Sequence, residues 1–335
     1  MSVITSSQNP LNVTNPFHFP PLNYNKLNWY NEQDIPTSIP VLDYQRLLAG
    51  KDWKILKNLL YEGRIFYLKN LGITDEETEK FLNVTREFFN KPLTEKLKFV
   101  HSHITPIWRG YSSFRVDRSH NLPPDQKPPE VTMNYTWGAT ENIYPHKEFQ
   151  QIWQTHYDKR FNIVKSLVEI IVTVLFLKEN SAWKKLFTGE TLLRHQCYPA
   201  VPPQAEYRIG SHVDTTIISL LSQMPAENGY IGLEVWDDDR FVKAPAVKGT
   251  SVINIGEVLY AFTNGAIKPT KHRVVNPTKD FEHSERTSIP VFYHAAKDLE
   301  ITCPEDSTYA AFYNQEGKTT VETFLNNAVK AFTNK

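Results

Sequence analysis

From residue 190 onward, hydrophobic side chains recur at every second position, in short runs closed by Gly, Asp or Asn. A period of two marks a half-buried strand, whose successive side chains point to opposite faces. The runs cover 191–198, 215–221, 232–236, 250–255, 272–275 and 287–293. Turn chemistry such as Asp237-Asp238-Asp239 and Thr263-Asn264-Gly265 punctuates them. Six strands without helical spacing between them predict an antiparallel sandwich or barrel rather than a parallel sheet with crossover helices.

The first half of the chain reads differently. Residues 1–36 are rich in Pro and Asn and predict an extended arm. Ile39-Pro40-Val41-Leu42-Asp43 and Ile65-Phe66-Tyr67-Leu68 predict short strands, with helical spacing over 47–60 between them. Thr74-Asp75-Glu76-Glu77 matches a capping box and opens an amphipathic helix. Residues 101–145 mix Pro, Gly and Asn with aromatics and predict a long loop. From 146 to 179, Phe149, Trp153, Val164, Val168 and Ile171 follow helical spacing and predict the longest helix. The fold class is therefore α+β. The expected organisation is one catalytic domain over 1–335: the arm to 36, a mainly helical part from 37 to 190, the strand-rich core from 191 to 300, and a C-terminal segment from 301.

Composition narrows the function. Thirty-seven basic residues balance 37 acidic ones, which argues against nucleic acid as a partner bound through a basic surface. The most apolar stretch is interrupted by Glu169 and is too short to span a bilayer, which takes about 20 residues, so no membrane partner is expected. The N-terminus has no basic residue before Lys26, unlike a signal peptide, and two cysteines are too few for a disulfide framework. A soluble, cytoplasmic globular protein is the expectation, and nothing in the composition speaks against an enzyme with a small-molecule substrate.

Two His-x-Asp matches occur, His156-Tyr157-Asp158 and His212-Val213-Asp214. The first falls in the long helix, where residues two apart point to nearly opposite sides and cannot share an ion; it is read as a surface pair. The second opens a predicted strand, where residues two apart face the same way, and it is kept. His272, on a later strand, completes two imidazoles and a carboxylate, the set associated with non-haem Fe(II) oxygenases. Alone, His272 would read as an ordinary core or surface histidine. Fourteen residues on, Arg286, Ser288 and Phe292 share one strand face. A guanidinium beside a hydroxyl forms a fork for a carboxylate.

The series His212, Asp214, His272, Arg286, Ser288 resembles the 2-oxoglutarate- and Fe(II)-dependent dioxygenases of the isopenicillin-N-synthase-like group. So do Gly63-Arg64-Ile65-Phe66-Tyr67-Leu68, Arg109-Gly110-Tyr111, Gly232-Leu233-Glu234-Val235 and Asn254-Ile255-Gly256-Glu257. The resemblance covers roughly 37–330. It implies a double-stranded β-helix (jelly-roll) core and Fe(II) held by His212, Asp214 and His272, which are then the catalytic and metal residues. It further implies O2 and 2-oxoglutarate as co-substrates. Arg286, Ser288 and Tyr198 would hold the distal carboxylate, and Gln196, where the group usually has Asn, the keto-acid end. The implied reaction couples oxidative decarboxylation of 2-oxoglutarate to hydroxylation, desaturation or cyclisation of a small organic molecule. A 2-oxoglutarate-independent Fe(II) oxidase of the same fold and a non-enzymatic ligand-binding module are the alternatives. The substrate pocket is expected around Phe292 and the loop residues Trp108, Phe114, Arg115, Tyr135 and Trp137, with Arg115 pairing a substrate carboxylate.

Overall fold

The computed structural model describes residues 18–100, 109–112, 132–199, 207–281 and 284–333. After an extended stretch, β1 (Val41–Asp43) leads into α1 (Tyr44–Leu48), α2 (Trp53–Glu62), β2 (Phe66–Lys69), α3 (Asp75–Phe89) and the short α4 (Leu93–Lys96). The expected helix over 47–60 is broken at 49–52, where Gly50 and Asp52 take positive φ. The capping box forms as expected: Thr74 accepts from the Glu77 amide, and Glu77 accepts from the Thr74 amide.

The 101–145 region is not all loop. It contains β3 (Gly110–Ser112) and β4 (Met133–Trp137), followed by α5 (Lys147–Val174). The remaining elements are β5 (Thr191–Tyr198), β6 (Tyr207–His212), β7 (Ile218–Met224), β8 (Leu233–Asp237), β9 (Arg240–Lys243), β10 (Thr250–Ile255), α6 (Glu257–Phe262), β11 (His272–Val275), β12 (Arg286–Tyr293), β13 (Glu300–Thr302), β14 (Lys318–Thr320) and α7 (Val321–Thr333). Within the strand-rich core, β6 and β9 escape the sequence reading. Strand β9 is reached through a two-residue turn at Asp238 and Asp239, both at positive φ.

Eight strands form one sheet in the order β1-β2-β10-β7-β12-β5-β4-β3, and four form a second, β6-β11-β8-β9. Every pairing in these sheets is antiparallel except β1 with β2. The two faces of the large sheet do different work. Its outer face packs on α3 and α5. There Tyr293 stacks near Phe161, Arg160 donates to Ser222, and Tyr135, Phe149 and Trp153 interlock. Each fully buried large apolar side chain contributes roughly 1.5–3 kcal/mol, and the 28 residues of α5 supply many of them.

The inner face meets the small sheet. At its closed end, Tyr67, Leu221 and Val252 of the large sheet share an apolar cluster with Leu233 and Val235 of β8. Beyond that plug the interior turns polar, and the site lies there.

Candidate active site

Register places the inner-face residues without further assumption. Arg286 opposes Tyr198, Ser288 opposes Gln196 and Gln223, and Phe292 opposes Leu192 and Ser219. All therefore project toward the small sheet. From that sheet, His272 opens β11 directly opposite His212, the last residue of β6. The structure corrects one detail here: His212 closes a strand rather than opening one, and Asp214 sits in the turn before β7. That turn is pinned by Glu257 N–H donating to Asp214 O (2.8 Å) and by the Tyr309 hydroxyl donating to Val213 O.

The three side chains converge. Asp214 Oδ1 lies 3.8 Å from His212 Nε2 and 3.9 Å from His272 Nε2, and the imidazole centroids are 4.3 Å apart. One donor atom from each falls within 4.8 Å of the others. Each ring's Nδ1 faces a backbone carbonyl, Gly210 O at 2.8 Å for His212 and Thr270 O at 3.3 Å for His272. Carbonyls only accept, so both Nδ1 atoms carry the proton and both Nε2 lone pairs face Asp214. Burial and the neighbouring His272 depress His212 to about 4, against the pull of Asp214, so this imidazole is neutral at pH 7. Two imidazoles with carbonyls behind them and the carboxyl group of Asp214 could hold a divalent iron.

His156-Tyr157-Asp158 does not assemble a site. His156 is buried, its Nε2 2.7 Å from Glu77 O, while exposed Asp158 accepts from Gln154. The pair diverges as helix geometry requires, but His156 is a core residue and not a surface one.

Along β12, Arg286 is buried. It donates from Nη1 to Ser288 Oγ (3.2 Å) and from Nη2 to Gln223 Oε1 (3.2 Å), with its guanidinium 5.0 Å from the Tyr198 ring centroid. Gln196 Nε2 donates to the Tyr198 hydroxyl. Gln223 was missed by sequence reasoning. The strand expected from the sequence ended at 221, two residues short of it.

Phe292 is half-buried on the same stripe, with the Arg194 guanidinium 5.5 Å from its ring centroid and Arg194 Nε donating to Thr136 Oγ1 (3.2 Å). Arg194, one strand inward from β4, was also not anticipated. Tyr135 and Trp137 are placed elsewhere than expected. Both are fully buried on the helix-facing side of β4. Trp137 Nε1 faces Gln154 Oε1, its ring lies 5.9 Å from that of Trp153, and the Tyr135 hydroxyl donates to Ile143 O (2.6 Å). Strand alternation explains this: in a paired strand, Asn134 and Thr136 take the inner face and 135 and 137 must take the other. Trp108, Phe114 and Arg115 lie outside the described residues.

Residues 189–295 match the model of the 2OG-Fe(II) oxygenase superfamily, and residues 39–156 match that of the non-haem dioxygenase in morphine synthesis N-terminal. The chain belongs to the 2OG-Fe(II) oxygenase superfamily. This oxygenase is 26% identical over 274 residues to deacetoxycephalosporin C synthase of Amycolatopsis lactamdurans, covering 80% of this chain and 87% of that one. It is 27% identical over 294 residues to the alpha-ketoglutarate dependent kainoid synthase of Pseudo-nitzschia multiseries, covering 83% and 78%. Among solved structures it resembles a full-length Neurospora crassa protein in complex with alpha-KG and 5-formyluracil. The TM-score is 0.69 and the identity 25%, over 90% of this chain and 98% of that one. The fold is the jelly roll with flanking helices. The oxygenase couples 2-oxoglutarate decarboxylation to oxidation of a second substrate, using Fe(II) and O2. Among the described residues, no helix is long and apolar enough to cross a membrane.

Proposed function

We propose that this oxygenase binds Fe(II) through His212, Asp214 and His272 and seats the distal carboxylate of 2-oxoglutarate on Arg286 and Ser288. The substrate is a small organic molecule held against Phe292, and hydroxylation is the outcome. The observation that carries this is the pairing of two features in one interior. Two carbonyl-oriented imidazoles flank a carboxylate, and among the described residues the hydrogen-bond partners of the buried Arg286 are neutral. A buried cation without a carboxylate calls for an anionic ligand.

Bound iron, with 2-oxoglutarate and O2, supplies the oxidant while succinate and CO2 leave. The chain's own residues orient and shield. Gln223 and Ser288 fix the plane of the Arg286 fork, so it meets a carboxylate with two parallel donors. Gln196 holds the Tyr198 hydroxyl, and the apolar plug of Tyr67, Leu221, Leu233 and Val252 closes the inner end against water. Phe292 offers a ring face, with the Arg194 guanidinium 5.5 Å from its centroid. The relatives named for kainoid synthesis and for a 5-formyluracil complex act on or hold small polar molecules, in keeping with such a pocket. Desaturation or ring closure needs only a different substrate pose.

The test is anaerobic Fe(II) titration of wild type and Asp214→Ala, followed by succinate release with 2-oxoglutarate in air. The variant is expected to lose iron affinity at least a hundredfold and to release no succinate while its melting temperature holds. Unchanged Fe(II) affinity would remove Asp214 from the metal set.

A further inference from the structure

A second buried guanidinium lies against the same Tyr198 ring as the one on β12. Arg208 lies four residues before His212 on β6 and is 4% exposed. Its Nη2 donates to Ser284 O at 2.6 Å and reaches Pro199 O at 3.4 Å, while its Nη1 is buried with no hydrogen-bond partner. The guanidinium carbon is 5.6 Å from the Tyr198 ring centroid and 5.3 Å from that of Tyr230. Arg286 approaches the same Tyr198 ring at 5.0 Å from the opposite sheet. Two cations from two sheets thus converge on one aromatic ring.

Charge balance makes the arrangement informative. Among the described residues, neither Arg208 nor Arg286 is hydrogen-bonded or ion-paired to a carboxylate. Glu285, whose charge reaches Arg208, is bonded to both Nη atoms of Arg86. Burying two guanidinium charges without counter-ions costs several kcal/mol. A structural clamp for two carbonyls could be built from a neutral amide, and it would not need a charge that repels Arg286. An anion placed between the two arginines removes the repulsion and supplies an acceptor for the unpartnered Nη1.

We propose that Arg208 is a second arginine of the co-substrate pocket, acting with Arg286 to bind the distal carboxylate of 2-oxoglutarate. The inference rests on the reading of Arg286 as the carboxylate anchor. Its consequence is that removing the Arg208 guanidinium weakens a 2-oxo acid with a distal carboxylate and spares one without it.

The experiment measures dissociation constants of 2-oxoglutarate and of 2-oxobutanoate, which lacks the distal carboxylate, on the anaerobic Fe(II) protein by calorimetry. Arg208→Gln is expected to weaken 2-oxoglutarate at least tenfold and to leave 2-oxobutanoate within twofold. If the variant melts at lower temperature while the ratio of the two constants stays within twofold of wild type, Arg208 is only a clamp and the inference falls. Should Arg208→Gln not fold, Arg208→Lys decides it. Lysine keeps the charge and loses the second donor, so a threefold or larger weakening confined to 2-oxoglutarate supports the proposal, and an unchanged ratio overturns it. Failure of wild type itself to prefer 2-oxoglutarate would instead remove Arg286 as anchor, and with it the reading of the site.

Discussion

Replacing Trp137 by alanine separates two roles that the same aromatic residue could play. The ring is 1% exposed and wedged beside Trp153 and Tyr144, with Nε1 toward Gln154. Truncating a fully buried Trp to Ala costs about 3–5 kcal/mol, from lost transfer energy and the cavity left behind. For 335 residues, an unfolding entropy of about 2.1 cal/mol/K per residue makes about 0.7 kcal/mol/K, so the melting temperature should fall by about 4–7 °C. The ring lies on the sheet face turned away from the metal ligands, so the ratio of product to succinate should not move. Phe292→Ala is the counterpart: half-buried on the inner face, it should lose coupling at least twofold with a smaller loss of stability. Calorimetric melting beside paired product and succinate assays reads both. A Trp137→Ala protein that melts like wild type but releases succinate without product would place the indole in the substrate pocket and refute the facial argument.

Two further outcomes follow from the same geometry. Arg286→Lys keeps the charge but loses one of two parallel donors to the carboxylate. A charge-assisted hydrogen bond worth about 2 kcal/mol corresponds to roughly thirtyfold in affinity, so 2-oxoglutarate titration should show that weakening, and a change within about twofold would dismiss Arg286 as the anchor. Glu257 is fully buried, accepts from Ser307, and is raised by burial from 4.5 to about 7. Between those pH values the folded chain holds a proton that the unfolded chain has lost. The associated stability is complete below pH 4.5 and is lost as the pH climbs through 7, by at most about 3 kcal/mol. Glu257→Gln stays neutral, and chemical denaturation of the two proteins across pH 4.5–7.5 should show the slope of wild type flattened in the variant.

Much of this molecule is written in local pattern. The capping box at Thr74, the long helix after residue 146 and the strands 191–198, 250–255 and 272–275 follow from periodicity and turn chemistry, because each is set by residues a few positions apart. The metal candidates were legible too. His212 with Asp214 and Arg286 with Ser288 are pairs two residues apart, and His272 was singled out by its place in order between them. What the sequence could not decide was which face of a strand is the inside, and that depends on pairing between segments far apart in the chain. Met133–Trp137 looked like part of a loop because its register comes from β5, about 60 residues on, and that pairing turns Tyr135 and Trp137 to the helices and Asn134 and Thr136 to the interior. Arg208 and Gln223 came to light the same way. An isolated Arg or Gln in a strand has no assigned face until two sheets close around it. Arg208 beside Tyr198 and Gln223 beside Arg286 were placed by the sandwich, since the neighbours of each come from strands distant in the chain.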